Sequence, residues 1–207
     1  MKHTVREAKK TRQLELLNGG TIVQKVCRSC GLVKLIEDFH LYVEGHSRPD
    51  CKSCHRKKQS DYMNSIKDKR KVYRQRQRAL VVGAPDNYSM DDYEALKSFS
   101  GGKCLISGKE LGFDNLQFDH FMALSNKFGL GSTKGNLILV SEEVNQKKRD
   151  MDIFSFMESE RSKGLIDIDQ LKNTLRYLAE SNGLKINEYI QLLQGIDEME
   201  KASRVNH

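Results

Sequence analysis

The chain has 207 residues, with 35 Lys and Arg against 28 Asp and Glu, a net charge of +7 and a sequence pI near 9.1. That length suits one ordinary domain or two small ones. There is no apolar run of about 18 residues to span a membrane, and the start, MKHTVREAKK, has no apolar signal-peptide core, so a cytoplasmic protein is expected.

The charge is uneven. Residues 1–88 carry 20 Lys and Arg against 9 Asp and Glu, a net of +11, and the remainder nets −4. The basic half is the expected nucleic-acid arm. Two prolines in all argue against long disordered linkers.

Residues 4–17, TVREAKKTRQLELL, are expected to form a helix stopped by Asn18-Gly19-Gly20, which gives an N-terminal helix over 1–20. Val5, Leu14 and Leu17 are too sparse for a core stripe, so this helix is read as solvated.

Cys27-x-x-Cys30 is followed, after twenty residues, by Cys51-x-x-Cys54. Each pair sits on a tight turn that aims two thiolates at one ion, and four thiolates suit a closed tetrahedral Zn²⁺, one per chain. Two disulfides are the weaker option in a cytoplasmic protein. His40, His46 and His55 are substitutes by type, but four cysteines already complete a site. The segment, 21–58, looks like a small zinc ribbon with Phe39, Leu41 and Tyr42 as its modest core, so metal should supply much of its stability.

From His55 to Gly83 there is no Gly or Pro, and the composition favours one long helix over 55–84. Eleven basic residues lie between Lys52 and Arg78, against Asp61 and Asp68 alone. Such density repels itself unless a polyanion neutralises it, so Arg56, Lys57, Lys58, Lys67, Lys69, Arg70, Lys71, Arg74, Arg76 and Arg78 are candidate phosphate contacts on double-stranded DNA. Tyr62 and Tyr73 could pack on sugars or on the ribbon.

Gly83-Ala84-Pro85-Asp86-Asn87 is the clearest break and the expected domain boundary. Ser89 then caps a short helix that Gly101-Gly102 ends.

Residues 116–150, LQFDHFMALSNKFGLGSTKGNLILVSEEVNQKKRD, read as a strand ending in Asp119-His120, a Gly-rich loop, a second strand opened by Asn136, and a helix capped by Ser141. A hard divalent cation needs oxygen ligands, and Asp119 with the side-chain carbonyl of Asn145 supplies two. His120, adjacent on the strand, would point the other way, placed to take a proton from an attacking water. Asn136 could hydrogen-bond across the loop and hold the imidazole.

On Asp119-His120, on Asn136 opening a Gly-Asn-Leu-hydrophobic run, on Asn145 heading Asn-Gln-Lys-Lys, and on their spacing, residues 99–150 resemble the HNH, or ββα-metal, nuclease motif in its His-Asn-Asn variant. The resemblance implies His120 as general base and Asn136 as its constraint, the two catalytic positions. It implies Asp119 and Asn145 as ligands of one catalytic Mg²⁺ or Mn²⁺ per site, and hydrolysis to 5′-phosphate and 3′-hydroxyl ends. Lys147, Lys148 and Arg149 after the motif are further candidate DNA contacts. Many members clamp this finger with a zinc on two Cys-x-x-Cys pairs; here only Cys104 stands at such a position, with Ser107, Ser141 and Val144 at the others. No zinc is therefore expected in the finger, whose core would rest on Leu105, Ile106, Leu111, Leu116, Phe118, Leu137, Leu139 and Val144.

Asp152 can cap a helix that stops at Gly164, Asp167 or Asp169 starts one with Leu171, Leu175 and Leu178 on one face, and a last helix carries Ile186, Tyr189, Ile190, Leu193 and Ile196 on a stripe. This pair either covers the finger or makes a homodimer interface. The expected whole is an α+β chain: ribbon and basic helix, an HNH nuclease domain over 88–155, and a C-terminal helical hairpin over 156–207. Its layout resembles phage-type HNH endonucleases and phage junction-resolving nucleases, which implies a phage or mobile-element origin. The competing reading is a zinc-ribbon DNA-binding protein with an inactive finger.

Overall fold

The structure, a computed structural model, describes residues 3–42 and 46–205. Residues 43–45 of the expected ribbon and the outermost residues of the first and last expected helices lie outside that range. The fold is mixed α+β, with small antiparallel sheets and seven α-helices among the described residues. It divides into two compact units, Met1–Lys67 and Asp68–His207, so the division falls within the basic stretch and not at Gly83–Asn87. No described helix is long and apolar enough to cross a membrane.

The first unit begins with strands where a helix was expected. β1 (His3–Glu7), β2 (Leu14–Asn18), β3 (Thr21–Val26) and β4 (Val33–Leu35) form one antiparallel sheet in that order. Asn18-Gly19 between two apolar-alternating runs is a hairpin signal, and it turns the chain from β2 into β3 instead of stopping a helix. Between β1 and β2, Arg12 takes φ +54 and Gln13 Nε2 donates to the carbonyls of Val26 (2.6 Å) and Pro49 (2.7 Å), so tertiary hydrogen bonds override the local helix preference. β5 (Phe39–Leu41) pairs with β6 (Ser47–Cys51), and α1 (Lys52–Ser65) follows. Only Phe39 of the expected ribbon core is buried; Leu41 and Tyr42 are exposed, and the buried cluster is Cys27, Phe39 and Cys51 with Cys54 against it.

The single long helix is two helices. α1 ends at Ser65, Ile66 leaves helical geometry (φ −107, ψ 6), and α2 runs Lys67–Val81. Ser65 Oγ donates to Tyr62 O (2.8 Å), a side-chain competitor for the helical carbonyl, and β-branched Ile66 follows it. α1 buries no residue, whereas α2 buries Val72 and Ala79.

In the second unit α3 (Met90–Ser100) carries a full capping box, Ser89 with Asp92, and ends on left-handed Gly101. β7 (Leu116–His120) and β8 (Leu137–Ser141) pair antiparallel, with Asp119 opposite Ile138 and His120 opposite Leu137. α4 (Glu142–Lys148) follows without a break, capped by Ser141 Oγ on Val144 N–H. α5 (Ile153–Glu158) is capped by Asp152 and is shorter than its sequence suggests. α6 (Ile168–Ser181), capped by Asp167, packs on α7 (Ile186–Val205). The core of this unit joins Leu105, Ile106, Leu116, Phe118, Leu137, Leu139 and Val144 of the ββα unit to Leu171, Leu178, Tyr189, Leu193 and Ile196 of the last two helices. Leu111 packs at its margin, and Cys104 is a buried core residue whose Sγ accepts the Ser107 N–H.

The C-terminal pair is therefore an intramolecular cover. Thr174 Oγ1 donates to Leu105 O (2.6 Å), Asp167 N–H to Ile106 O (3.0 Å), and both Asn182 Nδ2 (3.2 Å) and Tyr189 OH (2.8 Å) to Gly135 O.

Candidate functional site

Asp119 and His120 are the last two residues of β7, and their side chains find different partners, Lys148 for Asp119 and Ser132 for His120. Asp119 and His120 both border one cleft of about 800 Å³, together with Asn145 from α4, Arg149 beyond it, and Tyr73, Arg74 and Arg78 from α2. Asp119 Oδ1 also accepts the His120 N–H at 2.8 Å.

Asp119 is buried, and its Oδ2 accepts no hydrogen bond. Lys148 Nζ forms an ion pair with that oxygen at 3.1 Å, and the same ammonium donates to His120 O at 2.6 Å. Burial pushes the Asp119 carboxyl up, and the Lys148 charge opposes it. A carboxylate oxygen at a cleft edge is by type an acceptor suited to a hard cation, here with the Lys148 ammonium already beside it. Asn145 is half-buried on the first turn of α4, and its Nδ2 donates to Gln117 Oε1 at 2.7 Å, which engages the amide nitrogen and leaves its carbonyl as the oxygen a cation would use. The residues fit a divalent ion by donor chemistry.

His120 is buried, with Nε2 3.0 Å from Ser132 Oγ. Burial, reinforced by the charges of Arg78 and Lys148, depresses its pKa to about 3, so the ring is neutral at physiological pH. Asn136 is fully buried and does bond across the loop: Oδ1 accepts from Met122 N–H (2.8 Å), and Nδ2 donates to the carbonyls of Met122 (3.0 Å) and Gly131 (2.9 Å). The partner at the imidazole is Ser132, a residue sequence reasoning missed. Its one signal was a hydroxyl side chain in the Gly-rich loop, and twelve residues of separation hide the contact.

The candidate DNA contacts divide. Arg56, Lys57 and Lys58 are exposed on α1, Lys58 paired with Asp50 at 2.7 Å. On α2, Lys67, Lys69, Arg70, Arg74, Arg76 and Arg78 are exposed and Lys71 is half-buried near Asp68, while Arg76 Nε also donates to Asp86 O at 2.7 Å. Lys147 and Arg149 are exposed. Lys148 is not a DNA contact, because its side chain is fully buried and committed to Asp119 and His120. Three consecutive basic residues at a helix end face different ways, and the middle one turns inward.

No protein-family model matches this chain, nor does any curated protein. Among solved structures it is similar to the crystal structure of the Type II-C Cas9 enzyme from Actinomyces naeslundii, at 17% identity and a TM-score of 0.36. The match covers 76% of this chain and 15% of that chain. So slight a likeness carries neither fold nor chemistry, which rest on the residues themselves.

In the first unit Cys27, Cys30, Cys51 and Cys54 bring their Sγ atoms within 4.8 Å of one another, positioned to hold one metal ion. Burial raises the Cys27 thiol, but amide donors from Cys51, Cys30 and Ser29 outweigh it and bring the pKa down to about 6. The hydroxyl of Ser53 lowers Cys51, while Cys54, hydrogen-bonded within the cluster and crowded by Cys51 first, is pushed up to about 12. Packed sulfurs with one thiolate already favoured are a donor set of zinc type.

Proposed function

We propose that this chain is a metal-dependent HNH endonuclease that hydrolyses DNA phosphodiester bonds. The observation that carries the reading is the convergence of Asp119, His120 and Asn145 on one cleft, with Arg78 and Arg149 at its walls. Asp119 and Asn145 would hold Mg²⁺ or Mn²⁺, which when bound stabilises negative charge on the scissile phosphate and the leaving oxygen. His120, neutral in its buried site, is the group to accept a proton from the attacking water. Asn136 anchors the loop behind it. The exposed arginines of α2 and the exposed basic residues of α1 would bind the duplex backbone, and Cys27, Cys30, Cys51 and Cys54 would hold a structural Zn²⁺.

The test is purified protein on supercoiled plasmid with and without Mg²⁺ or Mn²⁺, beside His120→Ala, following nicked and linear forms. Loss of the base should cost about 10²- to 10⁴-fold in rate with DNA binding retained. Cleavage that persists in the variant would overturn the assignment of His120. Binding without cleavage by the wild type, on plasmid and on branched DNA alike, would make this a DNA-binding protein with an inactive finger.

A further inference from the structure

The buried side chain of Ser132 stands between the imidazole and α2. A serine hydroxyl has one proton. Ser132 Oγ lies 2.9 Å from the backbone carbonyl of Gln75, a group that can only accept. The proton is therefore directed at Gln75 O, and Oγ is left as an acceptor toward His120 Nε2 at 3.0 Å. An acceptor there requires a proton on Nε2, and a neutral imidazole carries only one.

Nor can Ser132 drift to another role. It is fully buried, its N–H donates to Pro85 O at 2.7 Å, and its carbonyl accepts the Tyr88 N–H at 3.1 Å. Its neighbour Gly131 holds φ +60 with no room for a Cβ against Pro85, so the backbone is fixed from both sides. Gln75 sits on α2, whose Val72 is built into the core, so the acceptor carbonyl is fixed as well.

We propose that Ser132 is a positioning residue: by donating to Gln75 O and accepting from His120 Nε2, it holds the ring in the Nε2–H tautomer and leaves Nδ1 as the nitrogen able to take a proton. Its catalytic consequence rests on the nuclease reading; the tautomer does not.

The experiment uses the whole 207-residue chain, expressed with zinc supplied, labelled with ¹⁵N-histidine, without added Mg²⁺ or Mn²⁺. Long-range ¹H–¹⁵N correlation spectra identify the protonated nitrogen, with His120 assigned by its absence from the His120→Gln spectrum. The expected wild-type pattern is Nε2–H, and Ser132→Ala is expected to convert it to Nδ1–H or a mixture. Should Ser132→Ala not fold, Ser132→Cys keeps nearly the same shape with a weak acceptor and is expected to loosen the preference. In plasmid cleavage Ser132→Ala should lower kcat with KM unchanged, by less than the roughly 10²- to 10⁴-fold of removing a base. An Nδ1–H pattern in the wild type, or an Nε2–H pattern untouched in the variants, overturns the proposal whatever the plasmid shows. An Nε2–H tautomer that depends on Ser132 in a protein that cuts nothing leaves the proposal standing and the nuclease reading refuted.

Discussion

Lys148 Nζ sits 3.1 Å from Asp119 Oδ2, and neither side chain is open to solvent. One end of the pair is the carboxylate proposed to bind metal; the other also ties down the carbonyl of His120. Breaking such a buried pair from one side leaves an uncompensated charge, typically at about 3–5 kcal/mol. Lys148→Met should lower the urea midpoint of the second unit accordingly and leave the salt dependence of DNA binding unchanged. A variant of normal stability whose DNA affinity falls would mean that the lysine reaches the substrate.

Gln117 holds Asn145 through one 2.7 Å bond and otherwise stands outside the chemistry. Partners that orient a ligand typically contribute about 10- to 100-fold in metal affinity. Gln117→Leu should therefore raise the Mg²⁺ or Mn²⁺ concentration needed for half-maximal cleavage by that order, with near-normal rates at saturation. An unchanged metal titration would remove Asn145 from the proposed ligand set.

Gly131 and Gly83 both have positive φ, +60 and +70. A Cβ on Gly83 meets nothing, whereas one on Gly131 would overlap the backbone of Pro85. Gly83→Ala should cost about 1 kcal/mol, in keeping with backbone conformation alone. Gly131→Ala should cost clearly more, above the roughly 1–3 kcal/mol of a strained backbone residue, and should disturb the His120 ring resonances. Equal unfolding midpoints for the two variants would contradict the packing of this loop.

The depressed pKa of His120 predicts acid sensitivity. With a folded-state value of about 3 against an unfolded value near 6.5, the unfolded chain binds the proton first, so stability is intact above pH 6.5 and is lost as the pH falls toward 3. Each tenfold difference in proton affinity is worth about 1.4 kcal/mol. His120→Phe should flatten the dependence of the unfolding midpoint on pH across that window; a parallel curve would show that the buried imidazole titrates normally.

For the first unit, metal analysis should find about one zinc per chain on the four-cysteine set. Its buried cluster is Phe39 with cysteines, so stripping the metal should open residues 1–67 to protease while the helical signal of the second unit persists. Resistance to proteolysis after chelation would show that the sheet stands without the metal.

The ββα unit, the Ser89, Ser141 and Asp152 caps and the cysteine set were legible because each is carried by residues close in sequence with a single physical use. The first twenty residues were not: good helix formers in VREAKK competed with the Asn18-Gly19 turn, and the side chain of Gln13, bonded to Val26 and Pro49, decided the matter from afar. The break at Ile66 was missed because neither Gly nor Pro marks it. Around His120, that Asp119, His120 and Asn145 border one cleft is in keeping with the HNH-like motif that singled them out. The inward turn of Lys148 and the role of Ser132 were not legible, since each depends on a partner 12 to 57 residues away.

The two carbonyls that α6 and its leading turn satisfy, at Leu105 and Ile106, lie between Cys104 and Ser107, where a zinc-clamped finger would carry its first knuckle, while Asn182 and Tyr189 hold Gly135 O just before β8. Here two helices do that work by hydrogen bonding and apolar contact. A self-standing version of the ββα unit would thus extend well past Asp150 and through α7. Grafting residues 116–150 alone would leave behind the helices that complete their core.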